Sequence, residues 1–308
     1  MSFIGELQQL RSDKAKAARK RNNKAAALFL LPWFVGLFFL TAGPIAASFV
    51  LGFSNYNLLQ APTFNGVENF TRMLSDSRLH QALGVTFRYV AISVPLQLAC
   101  ALALALLLDR GLRGLAFYRS VFYLPSLLGS SVAIAVLWRQ IFGADGLVNQ
   151  LLELLGIEGR GWISDPGTAL STLMVLNVWT FGAPMVIFLA GLRQIPVMYY
   201  EAAATDGAGW WIRFSRITIP LLSPIIFFNL VLQIIHAFQA FTQAFVVSGG
   251  SGGPSDSTLF YTLYLYQRGF NNFDMGYASG LAWVLLLIIA AFTVLNFWAA
   301  KHWVFYND

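Results

Sequence analysis

Residues 199–220 read YYEAAATDGAGWWIRFSRITIP, a polar, small-residue island between two long apolar runs. Pro196, just upstream, is compatible with the first helical position, and the segment MYYEAAATDGAG predicts a short helix ending near Gly207 or Gly209. Glu201 is expected close enough to the helix start to gain from the exposed amides, while Ala202, Ala203 and Ala204 give helix propensity with almost no bulk. Trp210, Trp211, Ile212, Phe214 and Ile217 then supply an apolar surface for the membrane interface or a partner, with Arg213 and Arg216 pointing elsewhere. Composition alone equally allows a helix lying on the membrane surface.

The surroundings of the island define its setting. Of 308 residues, 57% are hydrophobic and only 11% charged, against about 25% charged in a soluble domain. Six runs are long and apolar enough to cross a bilayer as helix: 27–52, 82–108, 116–141, 169–190, 221–247 and 277–300. Helix is expected because unsatisfied backbone groups are costly in lipid, and the short alternating segments of an outer-membrane barrel are missing. Trp33, Tyr56, Trp138, Trp162, Trp298 and Trp303 flank the runs, as amphipathic rings do at headgroup level. The expected fold is all-α and polytopic, with a tail at 1–26, a six-helix domain at 27–300 containing the loop 191–220, and a tail at 301–308.

An even number of spans puts both termini on one side. Lys14, Lys16, Lys20, Lys24 and Lys301 all lie in the tails, joined in the first by Arg11, Arg19 and Arg21. Arg110 and Arg113, with Arg119 just inside the third run, and then Arg193, Arg213 and Arg216 fall in same-side connections. The opposite loops hold chiefly Arg72, Arg78, Arg160 and Arg268. The positive-inside rule then predicts cytoplasmic termini and a cytoplasmic island in a cell inner (plasma) membrane protein. The net charge of +6 is thereby topological, and nucleic-acid binding is disfavoured because the basic tail has no interleaved aromatics. The first run is expected to be retained, being long for a signal-peptide core and continuing past Ala46 and Ala47 through Phe49, Val50 and Leu51.

No catalytic constellation is present. His80, His236 and His302 are scattered without metal-ligand spacing, and the single cysteine, Cys100, cannot form an intrachain disulfide or complete a Cys/His cluster. The phosphate loop G-x-x-x-x-G-K-[ST] cannot occur, since no lysine lies between Lys24 and Lys301. No catalytic residue, metal ligand or cofactor site is expected, and any use of ATP needs another chain. The external connection 146–156, GLVNQLLELLG, places Leu147, Leu151, Leu154 and Leu155 on one face of a short helix on the outer membrane surface, with Asn149, Gln150 and Glu153 elsewhere. The glycine-rich segment 249–258 reads as a functional external loop or a mere turn.

EAAATDGAGWWIRFSRITIP resembles the EAA signature of permease subunits in binding-protein-dependent ABC importers. The matching residues are Glu201, Ala202, Ala203, Gly207, Ile217 and Pro220, with Asp206 and Ala208 also as in sugar importers; Ile219 replaces the motif leucine. FYLP (122–125), WISDPGTA (162–169), AGLRQIP (190–196) and GGPSDSTL (252–259) are similar to the MalF-like carbohydrate permeases, in a compact form without the long external insertion. This resemblance implies an ABC type I importer permease fold. It also implies a coupling helix at the island docking into a groove on a cytoplasmic ATPase, with Glu201 meeting a basic surface and Gly207 permitting the turn. The implied partners are a second EAA-type permease, two ATPase subunits carrying ATP and magnesium, an extracytoplasmic solute-binding protein, membrane lipids, and a sugar, oligosaccharide or related polyol as substrate.

Within the fifth run, Asn229, Gln233, His236 and Gln243 follow helical spacing, forming one polar stripe. Such groups face a bundle interior, a subunit or a wet cavity, and amides and imidazole suit sugar hydroxyls because each donates and accepts. Interhelical bonding without substrate is the other reading. Ser130, Asn177 and Thr180 are candidates for the same interior. Arg88, inside the second run, either snorkels to water or attracts an anionic substrate such as a phosphorylated polyol. A membrane enzyme lacks its clustered acid or base, and a receptor or assembly protein would leave the island without a mechanical role.

Overall fold

The computed structural model describes residues 27–111 and 114–305. The first tail with its basic residues, Arg113 and the last residues of the second tail lie outside these. Long apolar helices dominate. They are α1 (Ala27–Gly52), α2 (Glu68–Ser75), α3 (Ser77–Asp109), α4 (Leu115–Leu128), α5 (Val132–Ile141), α6 (Leu147–Leu154) and α7 (Ala169–Trp179). There follow α8 (Gly182–Leu192), α9 (Val197–Thr205), α10 (Trp210–Arg213), α11 (Ile219–Phe238), α12 (Thr242–Val247), α13 (Tyr261–Tyr266) and α14 (Met275–Trp303). A π-helical stretch, Phe214–Thr218, joins α10 to α11, and a two-residue hairpin pairs Ser54 with Phe64 after α1.

Four helices are by themselves long and apolar enough to span, and six spans result when each of two bent pairs counts as one. The expected third run, 116–141, is not one straight helix: α4 and α5 meet at 96°. Pro125 withdraws a backbone donor near the end of α4, and Ser131 caps the restart by accepting from the Ile134 amide at 3.3 Å. The fourth run bends by 41° between α7 and α8. The sixth extends past its expected end at 300, to Trp303.

The central element is α3, which packs against α7, α8, α11 and α13. It can do so because its inward positions are small: Ala82, Ser93, Ala101 and Ala105 are fully buried, and small residues let helix backbones approach in lipid, where hydrophobic driving force between helices is missing. By contrast α1 packs chiefly on α14, where Gly52 lies against Gly280 and the Trp283 indole donates to the Ser48 hydroxyl at 3.2 Å.

The ends of α3, α13 and α14 that meet around Asp76 are locked by ions. Asp76 caps α3 through the amides of Arg78 and Leu79, and accepts from the hydroxyls of Tyr264 at 2.5 Å and Tyr277 at 2.6 Å. Burial pushes its carboxyl up, but these hydrogen bonds and Arg268, 3.8 Å away, together hold it below the usual value. Arg78 forks onto Asp256 at 2.8 and 2.9 Å, and Arg72 meets Asp274 at 2.9 Å. The glycine-rich loop is therefore braced, with Gln267 also donating to the carbonyls of Gly250 and Ser251. In α6 the leucine face is exposed, whereas Asn149 is buried and binds the Ala144 and Arg160 carbonyls and the Trp162 indole.

Candidate functional site

Three helix breaks lie around one cavity. A break in lipid leaves backbone carbonyls without helical partners, and each must be satisfied by protein or by water in a wet cavity. Pro184 has no N–H to offer the carbonyl four residues earlier, so the Thr180 carbonyl is free and accepts from the Gln97 amide of α3 at 3.2 Å. Gln243 reaches from α12 to the Gly129 carbonyl at 3.0 Å, where α4 gives way to α5. The third break, between α11 and α12, is closed by the Thr262 hydroxyl donating to the Ala240 carbonyl.

Between these breaks is a cavity of about 440 Å³, whose wall includes Ser130, Asn177, Thr180, Gln233, His236 and Gln243. Tyr89, Ser126, Gln239 and Phe241 complete much of it, and none of its lining residues is Lys, Arg, Asp or Glu. Six of the seven side chains picked out in the sequence thus stand around one space. Asn229 does not: it is buried below the cavity, its amide bonded to its own Ile225 carbonyl, and its Oδ1 has no partner among the described residues. Arg88 is exposed on α3 and is not part of the wall.

The six wall residues picked out in the sequence divide into two groups. Asn177, Thr180 and Gln243 are engaged: Asn177 donates to Gln97 Oε1 at 3.2 Å, and Gln97 donates to the Thr180 hydroxyl at 3.0 Å. Ser130, Gln233 and His236 have no hydrogen-bond partner among the described residues, and Ser130 and His236 are exposed. The first group holds the breaks together, whereas the second is available to a solute. Gln97 and Thr262 were not anticipated from sequence, because a lone amide in an apolar run and a threonine after a glycine-rich loop carry no periodic signal.

At the other end of α8 and α11, α9 stands out from the bundle. It closes with a Schellman arrangement: the Ala208 amide donates to the Ala203 carbonyl at 2.8 Å and the Gly207 amide to the Ala204 carbonyl at 3.1 Å, with Gly207 at φ +77°. Pro196 is its N-cap, and Glu201 lies beyond the first turn, contrary to the expected stabilisation by free amides. Glu201, Ala202 and Asp206 are exposed, Ala203 half-buried, and Ile217 and Pro220 sit half-buried at the start of the return. The Tyr200 and Thr218 hydroxyls, 2.9 Å apart, tie α9 to the π stretch. Arg193 reaches Asp109 at 3.6 Å, joining the ends of α3 and α8. Val197, Met198, Trp210, Trp211 and Ile212 are all more than half exposed, and large apolar side chains left open in this way suit a contact with another protein or a membrane.

A bundle of bent spans around a polar cavity, with a short helix projecting from one end, defines a membrane permease. The chain belongs to the binding-protein-dependent transport system inner membrane component family, whose model matches residues 93–304. It is similar to the probable ABC transporter permease protein YesP of Bacillus subtilis, 49% identical over 297 residues and 96% of each chain. The lactose transport system permease protein LacF of Rhizobium radiobacter is 35% identical, over 78% of this chain and 82% of its own. The trehalose/maltose transport system permease protein MalF of Thermococcus litoralis is 28% identical over 89% and 92%. A solved chain from a bacterial alginate ABC transporter, in complex with its alginate pentasaccharide-bound periplasmic protein, superimposes with a TM-score of 0.78 at 18% identity, covering 91% of this chain and 95% of that one. The fold is that of an ABC type I importer permease, and the chain is a multi-pass, non-catalytic membrane subunit; ATP hydrolysis belongs to separate ATPase subunits.

Proposed function

We propose that this permease carries a neutral sugar, oligosaccharide or related polyol through the cavity at the three breaks, in an ATP-driven importer. The observation that carries the reading is the cavity wall itself: hydroxyl, amide and imidazole groups with no fixed charge, Ser130, Gln233 and His236 among the unengaged ones. A hydroxyl-rich solute exchanges water for such groups at little cost, whereas an isolated charge would be expensive to desolvate there. The named substrates of LacF and MalF support a carbohydrate. A glycerol-phosphate-type polyol is disfavoured because no cation lines the wall and Arg88 is not part of it.

His236 is assigned a solute contact. His236→Ala should lower solute-dependent uptake about five- to tenfold, the loss of roughly one hydrogen bond, with assembly and nucleotide binding unchanged. The check is ATP-dependent uptake by the complete complex in liposomes, using glucose, lactose and maltotriose with a mannuronate trisaccharide as the acidic comparison. Unchanged capacity and half-saturation, or uptake of the acidic sugar alone, would defeat the reading.

The helix α9 is assigned to coupling, with Glu201, Ala202, Ala203, Asp206, Gly207, Ile217 and Pro220 presenting it to an ATPase carrying ATP and magnesium. Closure of two such ATPases, one beneath this chain and one beneath a second EAA-type permease, would turn the cavity toward an extracytoplasmic solute-binding protein. Each ligand acts only through its differential affinity for the two states. The domain division at 26 and 300, with the coupling loop at 191–220, belongs to the same reading. So does orientation, supported by the distribution of basic residues: cysteines introduced at positions 18, 208 and 306 should resist an impermeant thiol reagent added outside intact cells. Labelling from outside at these positions would reverse the topology.

A further inference from the structure

Resting on the carbohydrate reading above, we infer that four aromatic rings, Phe241, Phe245, Tyr266 and Phe270, continue the cavity outward as a track on which saccharide rings are handed inward. Phe241 belongs to the cavity wall at the break between α11 and α12. Phe245, one turn further along α12, stacks on it with centroids 5.3 Å apart and planes 30° apart. Tyr266 at the end of α13 meets Phe241 at 5.3 Å and Phe245 at 5.4 Å. Phe270, one turn beyond, stacks on Tyr266 at 5.2 Å and 26°.

The direction of the track is fixed by the neighbours of α13. Thr262, at its start, binds the Ala240 carbonyl at the break. Tyr264, Gln267 and Arg268, further on, join the ion-locked outer end through Asp76 and the carbonyls of Gly250 and Ser251. The rings therefore climb from the cavity to the outer surface. Their exposure follows: Phe241, Phe245 and Tyr266 are half-buried, and Phe270 is 53% exposed. The aromatic side chains that serve the core behave otherwise, with Tyr261, Tyr277, Phe188, Phe238 and Phe260 fully buried. The Tyr266 hydroxyl has no hydrogen-bond partner among the described residues.

A sugar ring suits this surface. One of its faces is a sheet of C–H bonds that lies on an aromatic face, while the hydroxyls project from the rim and stay wet. The ring can then move from one aromatic face to the next without stripping its hydroxyls, and each contact is weak enough to be left again, which conduction requires. The polar cavity, with its unengaged amide and imidazole, is the tighter stop at the inner end. An oligosaccharide touches several rings at once and a monosaccharide touches one, so the contribution of the track grows with solute length.

The test uses the complete transporter in liposomes, with its partner permease, ATPases and binding protein, and radiolabelled glucose, lactose and maltotriose. Leucine keeps apolar bulk without a ring face, and tryptophan keeps the face. The Tyr266→Leu, Phe270→Leu double variant should lower maltotriose uptake about tenfold and glucose uptake less than about twofold, with binding-protein-stimulated ATP hydrolysis unchanged. Phe270→Trp should keep the parent rate on every sugar that the parent accumulates. Parent-like uptake by the leucine variant overturns the track, and so does an equal loss on every accumulated sugar or a loss matched by the tryptophan variant, which would mean packing or a subunit contact. If the parent accumulates none of the three sugars, the carbohydrate reading fails and the track with it; if it accumulates any, only the track is at stake.

Discussion

Gly182→Ala should destabilise the bundle by about 3 kcal/mol, the upper end for forcing an extra carbon into packed structure, and should remove most of the assembled complex. A Cβ at this position would lie 2.2 Å from the Phe122 carbonyl oxygen and 2.7 Å from the Tyr123 Cα. These are backbone atoms, so α4 cannot yield by changing a rotamer and must move away from α8. Ser126, Gly129 and Ser130 ride on that side of the cavity, so its shape would change as well. Gly191, on the same helix, is the control. The atoms nearest its added Cβ would be side-chain carbons of Ile225 and Leu222, and Gly191→Ala should cost about 1 kcal/mol, the lower end of that range, as those chains turn aside. Thermal unfolding and the yield of intact complex on size-exclusion chromatography compare the two. Equal midpoints for both variants would show that backbone contact at Gly182 does not set the spacing of α4 and α8.

Gly207→Val should leave insertion and subunit yield intact while lowering ATP-driven uptake about five- to thirtyfold. Nothing lies within 4 Å of a Cβ at Gly207, so no packing is lost. The cost is conformational: φ is +77°, a region in which an L-residue with a Cβ loses about 1–2 kcal/mol. Valine would open the Schellman turn and swing α9 away from α10, displacing the surface made by Val197, Met198, Trp210 and Trp211. Gly207→Asn, which tolerates the left-handed region, should retain most of the uptake. Glu201→Lys should act on the same step by charge rather than by backbone, since Glu201 is exposed and reversing it changes no internal contact. Copurification of the ATPases, together with coupled uptake per ATP hydrolysed, reads both. Normal coupling in Gly207→Val and Glu201→Lys complexes of normal stoichiometry would remove α9 from the coupling assignment.

The spans were legible because lipid imposes a strong rule on sequence: a crossing helix needs a long uncharged run, and α1 ends at Gly52, where the first run does. The island was legible for a local reason too. Pro196, the alanines and Gly207 set the start, body and stop of α9 through backbone preferences that need no partner. Boundaries inside the runs were not. Pro125 and Gly129 permit a break but do not require one, and nothing local distinguishes a kinked span from one folded over by 96°.

The cavity was only half legible. A stripe at helical spacing marks one face of α11, yet Asn229 and His236 look alike in that pattern, and the structure buries the first and exposes the second. Depth relative to the break separates them. Gln243 looked like another member of the stripe, but across the break it turns to the Gly129 carbonyl of a helix far away in sequence.

The sequence alone determined the number and register of the apolar runs, the capped helix of the island and the uncharged character of the fifth run, since each follows from composition and short-range backbone preference. Only the tertiary structure decided where the runs break, which carbonyls Gln97, Gln243 and Thr262 satisfy, and which polar side chains remain unengaged. A broken helix persists in lipid only when side chains distant in sequence complete its hydrogen bonds, and that requirement is settled by packing.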